Sequence, residues 1–129
     1  PHTHKLVIAG NHDWCLHRSH KLPQEMLCNA TYLEDSEVMI DGFKFYGSPW
    51  TPEFNNWAFN LSRGDDLKRV WSVVPDSTDV LITHGPPMGV LDKVYYNDEH
   101  VGCQDLLEEI NGRIRPKLHT WGTWHIDQR

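Results

Sequence analysis

Apolar and polar positions along the chain follow two different periods. Lys5-Leu6-Val7-Ile8-Ala9 is a short, largely β-branched apolar run closed by Gly10, which predicts a buried strand ending in a tight loop. Glu37 to Ile40 and Phe43 to Tyr46 are strand-like runs on either side of Asp41-Gly42, a pair suited to a type I′ hairpin turn. Between Gly64 and Val74 the period changes. Leu67, Val70, Trp71 and Val74 fall at i, i+3, i+4 and i+7, one face of a helix that Pro75 then stops. Asp79 to Thr83 predicts another apolar strand, ending in the turn His84-Gly85-Pro86-Pro87. Cys103, Leu106, Leu107, Ile110 and Ile114 repeat the helical spacing, and Leu118 to Trp121 predicts a further strand closed by Gly122.

Short strands alternating with helices predict the α/β class, and no linker, repeat or low-complexity stretch divides residues 1–129. Three of the strands lead into polar loops: Asn11-His12-Asp13 after the first, His84 after Thr83, and His125 after Trp121. In layered α/β folds ligands collect at the carboxyl ends of strands, where a rigid sheet positions the loops, so these three loops are expected to converge. The other histidines, His2, His4, His17, His20, His100 and His119, are read as solvated side chains, and Asp92 and Asp98 as surface charges without a role.

Charge and composition narrow the function. The net charge of −6 and the scattering of 12 Lys and Arg leave no basic face for polymeric nucleic acid or an anionic membrane. No apolar run approaches the roughly 20 residues of a membrane span, and no signal-like leader is visible, so a cytoplasmic setting is expected. Cys15, Cys28 and Cys103 are odd in number and widely spaced, and are read as idle thiols. Six Trp and nine His suit either a lined, partly polar pocket or a tryptophan-rich core.

The motifs G-N-H-D at Gly10 to Asp13, T-H-G-P-P at Thr83 to Pro87 and G-x-x-H at Gly122 to His125 occur in order. Together they resemble the later motifs of the calcineurin-like metallophosphoesterases. Tyr32-Leu33, Gly42-Phe43, Tyr46-Gly47, Pro49-Trp50-Thr51-Pro52, Phe54-Asn55, Trp57, Phe59-Asn60-Leu61, Val101-Gly102-Cys103 and Arg115-Pro116-Lys117-Leu118-His119 are similar to the metallophosphoesterase-domain-containing subgroup, so the resemblance runs from about Lys5 to His125. It implies a β-sandwich with flanking helices, layered α/β/β/α, and two divalent metal ions, Mn most of all, with Fe, Zn or Mg as alternatives. Carried onto this chain, Asn11, His84 and His125 become metal ligands and His12 the catalytic histidine, with Asp13 beside it. Trp50, Asn55 and Thr123 become substrate contacts, the first two because the loop Ser48 to Asn60 is rich in groups that stack a base and bond a ribose. The implied reaction is hydrolysis of a small phosphoester, a cyclic nucleotide among the candidates. Imidazole and amide donors suit such metals, and no thiol sits in the motifs.

Two departures qualify that expectation. The family's D-x-H and G-D-x-x motifs, which supply the carboxylate bridging both ions, do not occur before Gly10, so residues 1–129 are expected to form a partial domain that binds two ions weakly by itself. Thr123 stands where relatives carry a metal-ligating His in G-H-x-H. A nucleotide-binding or regulatory protein with little turnover, or a nonfunctional truncation, is therefore the alternative. An unpaired sheet edge is expected to favour self-association.

Overall fold

A computed structural model describes residues 2–19 and 26–122. The D-G hairpin forms as the sequence predicts: β3 (Ser36–Ile40) pairs antiparallel with β4 (Phe43–Ser48) in the register Ile40↔Phe43. Asp41 and Gly42 both have positive φ, 49° and 82°, the backbone a type I′ turn demands. β4 then pairs in parallel with β7 (Val80–Thr83), and β7 with β8 (Leu118–Trp121), giving a four-stranded sheet in the order β3-β4-β7-β8. Two smaller parallel ladders join β1 (Leu6–Val7) to β2 (Thr31–Tyr32), and β5 (Thr51–Pro52) to β6 (Asn60–Leu61). Only the middle of the Lys5-to-Ala9 run is extended enough to be strand.

The helices cover one face of the four-stranded sheet. α2 (Asp65–Ser72) buries Leu67 and Trp71 of the predicted stripe, and with Val74 they pack against Tyr46 of β4 and Leu81 of β7. Full burial of such side chains contributes about 1.5–3 kcal/mol each. α3 (Gln104–Glu109) adds Leu106, and continues as a π-helical turn, Ile110–Ile114, that buries Ile114. The widened turn is closed by the Arg115 amide donating to the Ile110 carbonyl at 3.0 Å. Arg113 fixes this turn to α2, donating to the carbonyls of Trp71 (3.0 Å) and Val74 (2.6 Å). Cys103 caps α3: its sulfur accepts from the Leu106 amide and the Trp71 indole, and burial raises its pKa, leaving an inert thiol.

Gly47 reports the opposite face. A Cβ there would lie 2.5 Å from Leu33 Cβ and 2.8 Å from Ile8 Cγ2, so the segments of β1 and β2 press against the sheet backbone from the side away from the helices. The resulting order of helices, main sheet and second ladder agrees with the α/β class and, among the described residues, supplies three of the four expected layers. A second small core, Ala9, Ala58 and Phe59, joins the end of β1 to the β5–β6 region, with Leu16 of α1 (Trp14–Arg18), Tyr32 and Trp50 packed around it.

Candidate active site

The fold brings two of the three predicted loops together. Asn11 follows β1 and His84 follows β7, 73 residues apart in sequence, yet Asn11 Oδ1 and His84 Nε2 are 3.1 Å apart. Gly10 makes this approach feasible: a Cβ at that position would lie 2.5 Å from His84 Cε1 and 2.7 Å from Nδ1, so the imidazole lies directly on the bare backbone. The loop itself is stapled by Asp13, whose carboxylate accepts the Gly10 amide at 2.7 Å, while the Asp13 amide donates to the Gly10 carbonyl at 3.0 Å. Asp13 therefore shapes the G-N-H-D turn as well as lending it negative charge.

The third loop starts at the same place. The Gly122 amide donates to the His84 carbonyl at 3.2 Å, and its backbone runs beside the His84 ring. His125 and Thr123, named above as ligand and substrate contact, lie outside the described residues. Burial pushes the His84 pKa down; Asp13 opposes the shift and His12 adds to it. A neutral imidazole is the form that coordinates a cation.

His12 is exposed, and its ring centroid lies 4.7 Å from that of Trp57 at an interplanar angle of 47°. Trp57 is braced in turn by Phe54, edge-on at 5.3 Å. The segment carrying them is tied to the site because the Ala58 amide donates to the Asn11 carbonyl at 2.9 Å. Trp50 is engaged otherwise: its indole donates to Asp35 at 2.6 Å and its ring stands edge-on to Phe59 at 5.4 Å, in the second core. Asn55 is exposed on the same segment as Trp57, with φ 50°. Sequence alone named Trp57 only as one of several aromatics in this loop; its place beside His12 depends on a loop path that no periodicity encodes.

Several side chains read as solvated are structural. His17 Nδ1 accepts the Phe59 amide at 3.0 Å. His119 Nε2 lies 2.8 Å from Thr83 Oγ1, and since that hydroxyl donates to the Gly85 carbonyl at 2.7 Å, the imidazole must be the donor. Asp92 is buried, not a surface charge. It accepts His100 Nδ1 at 2.6 Å and the amides of Gly89 (2.9 Å) and Gly102 (3.0 Å). Burial alone would raise the Asp92 pKa, but these three donors hold it below the ordinary carboxylate value.

Among the described residues, no three His, Cys, Asp or Glu side chains gather closely enough to hold one ion. The two donors that do meet fit a cation in type and spacing. An amide oxygen and an imidazole nitrogen about 3 Å apart have the separation of adjacent ligands around an ion with bonds of about 2.1 Å.

A layered α/β fold with a G-N-H-D loop against a T-H-G-P-P turn is the architecture of a phosphoesterase-like domain, and comparison with known proteins supports that class. A solved crystal structure 18% identical in sequence superposes with a TM-score of 0.59, covering 93% of this chain and 52% of that one, a likeness of fold. Metallophosphoesterase domain-containing protein 1 of Homo sapiens is 39% identical over 148 aligned residues, covering 97% of this chain and 45% of that protein. A UPF0046 protein of Caenorhabditis elegans is 45% identical over 153 aligned residues, covering 96% of this chain and 38% of that protein. No protein-family model matches the chain. Over nearly its whole length the chain is metallophosphoesterase-domain sequence of the domain-containing subgroup, spanning about half the length of the curated relatives it matches. No helix among the described residues is long and apolar enough to cross a membrane.

Proposed function

We propose that the protein to which this sequence contributes is a metal-dependent phosphodiesterase acting on small phosphoesters, cyclic nucleotides among them. The reading is carried by the meeting of Asn11 Oδ1 and His84 Nε2 at 3.1 Å on a glycine cradle. In it, Asn11 and His84 are ligands to divalent cations, Mn foremost, and His125 joins them. The carboxylates of the family's first two motifs are not among residues 1–10, which hold no Asp or Glu. Two such cations, when bound, neutralise the phosphate oxygens and activate a water for attack.

The chain's own residues supply the rest. Gly10 lets the His84 ring sit on the backbone, and Asp13 holds the loop that aims Asn11 and His12. His12, exposed beside that loop, donates a proton to the departing oxygen. Asn55 and Thr123 are the substrate contacts on this reading, while Trp50, bonded to Asp35 and packed on Phe59, supports the loop from its inner side. Free Cys15 and Cys28, both exposed, suit a reducing cytoplasmic setting, and the outer strands of the described sheet, β3 and β8, are the edges along which self-association would run.

Mn²⁺-dependent hydrolysis of bis(p-nitrophenyl) phosphate by this chain and by the full-length protein tests the reading. The full-length protein is expected to turn over, and His84→Ala or His12→Ala to lower its rate at least 100-fold, with the chain alone much weaker. Unchanged rates in both variants would overturn it. Thr123, standing where relatives place a ligand His, favours a second reading: nucleotide binding with little catalysis. Nucleotide affinity without metal-dependent hydrolysis in the full-length protein would select that one.

A further inference from the structure

The segment between β5 and β6 turns through three left-handed residues, two of them Asn, which enters that region readily, and one, Phe59, that does so at a cost. Asn55, Asn56 and Phe59 have φ of 50°, 51° and 54°. Such conformations persist where surrounding structure over-determines them, and here three anchors do so. Asn60 Nδ2 donates to the Phe54 carbonyl at 2.7 Å, the Thr51 amide donates to the Phe59 carbonyl at 3.0 Å, and the Ala58 amide donates to the Asn11 carbonyl at 2.9 Å. The last anchor joins the segment to the residue that the proposed function makes a metal ligand.

What this path delivers is Trp57. Its indole stands 4.7 Å from His12, is braced edge-on by Phe54, and is half-buried, with part of its surface open. Phe54 stands behind the indole as its brace, and Trp50 and Phe59 are turned inward to the second core instead. A group esterified to a phosphate facing His12 would therefore meet the indole before any other aromatic of this loop.

We infer that Trp57 is the specificity-determining residue of the site, an aromatic platform selecting phosphoesters whose organic group is a planar ring system such as a nucleobase. The inference rests on the proposed function, since it takes the phosphate to lie at His12 and His84. A stacked base is a sequence-tolerant contact, so selectivity for a ring over no ring is expected, with little discrimination among bases.

The test is calorimetric titration in Mn²⁺ of the full-length protein with 5′-AMP and with ribose 5-phosphate, which carries the same phosphate and sugar without the base. AMP is expected to bind roughly 10-fold or more tightly, the size of one stacking contact. Trp57→Leu is expected to erase that preference while leaving ribose 5-phosphate affinity unchanged, and Trp57→Phe to retain most of it. Equal affinities in the unsubstituted protein, both lost in His84→Ala, would overturn the Trp57 role and leave the proposed function standing. Preference for AMP surviving in a folded Trp57→Leu variant would also overturn it. Binding of neither ligand would overturn both.

Discussion

Two histidines, His84 and His100, each bond an oxygen-bearing partner, and the contrast between the pairs separates a site from a clasp. His100 sits on Asp92, whose side chain is wholly buried and accepts three donors, while His100 itself remains 42% exposed. The donors come from within the loop and the carboxylate is fully enclosed, so no open side is left for a ligand. His84 meets the amide oxygen of Asn11, an acceptor with a spare lone pair and no charge, and burial pushes its pKa down. One arrangement closes the segment from Gly89 to Gly102 on itself; the other leaves two metal-type donors facing each other at the carboxyl ends of β1 and β7. Enclosure of the acceptor, more than the presence of His near an oxygen donor, distinguishes function from folding here.

Removing the clasp should have the larger effect on stability. Asp92→Ala leaves the buried Gly102 amide, the Gly89 amide and an imidazole without their acceptor, and should cost about 3 kcal/mol in denaturant unfolding. His100→Ala, which removes only the half-exposed partner, should cost about 1 kcal/mol. Equal losses would show that Asp92 is held mainly by His100 and would blur the contrast.

A third histidine sharpens it. Burial lowers the His119 pKa from 6.5 to about 4, so the fold prefers its neutral form. As pH falls below 6.5 the unfolded chain takes up the proton first. Stability from this residue is therefore intact above pH 6.5 and falls by about 3 kcal/mol on the way to about pH 4. His119→Gln keeps a donor for Thr83 and should flatten that limb in pH-dependent unfolding; an unchanged slope would refute the assignment. Asp92, with its lowered pKa, contributes to acid sensitivity in a lower window, below its ordinary value of 3.8.

A smaller stability effect than that of Asp92→Ala should fall at the site. Gly10→Ala pushes a methyl into the His84 ring and should cost about 2 kcal/mol. It should also open the Asn11–His84 spacing and weaken Mn²⁺ binding at least tenfold, whereas Asp92→Ala, if folded, should leave that affinity nearly unchanged. A Mn²⁺ titration of both variants checks the pair.

Local elements were the most legible part of this chain. The i, i+3, i+4, i+7 stripe of Leu67, Val70, Trp71 and Val74 encodes a helix and its buried face together, and Asp41-Gly42 encodes a turn, because both signals depend on residues within a few positions of each other. The motif loops were legible for the same reason, and the sequence placed Asn11 and His84 on loops expected to meet. It misjudged His17, His100, His119 and Asp92, whose partners Phe59, Asp92 itself, Thr83 and the Gly102 amide lie 8 to 42 residues away. It named Trp50 and not Trp57 as a substrate contact, since both lie in one polar-aromatic loop and only the backbone path turns one inward and the other toward His12.

By itself, then, the sequence determined which segments are strand, helix and turn, and which chemistry each loop carries, because periodicity, turn propensity and residue type act at short range. Tertiary structure alone decided which of those loops touch, which polar groups are already satisfied and which aromatic faces the site. Those outcomes depend on parallel pairing between distant strands and on a glycine bare enough for an imidazole to rest on.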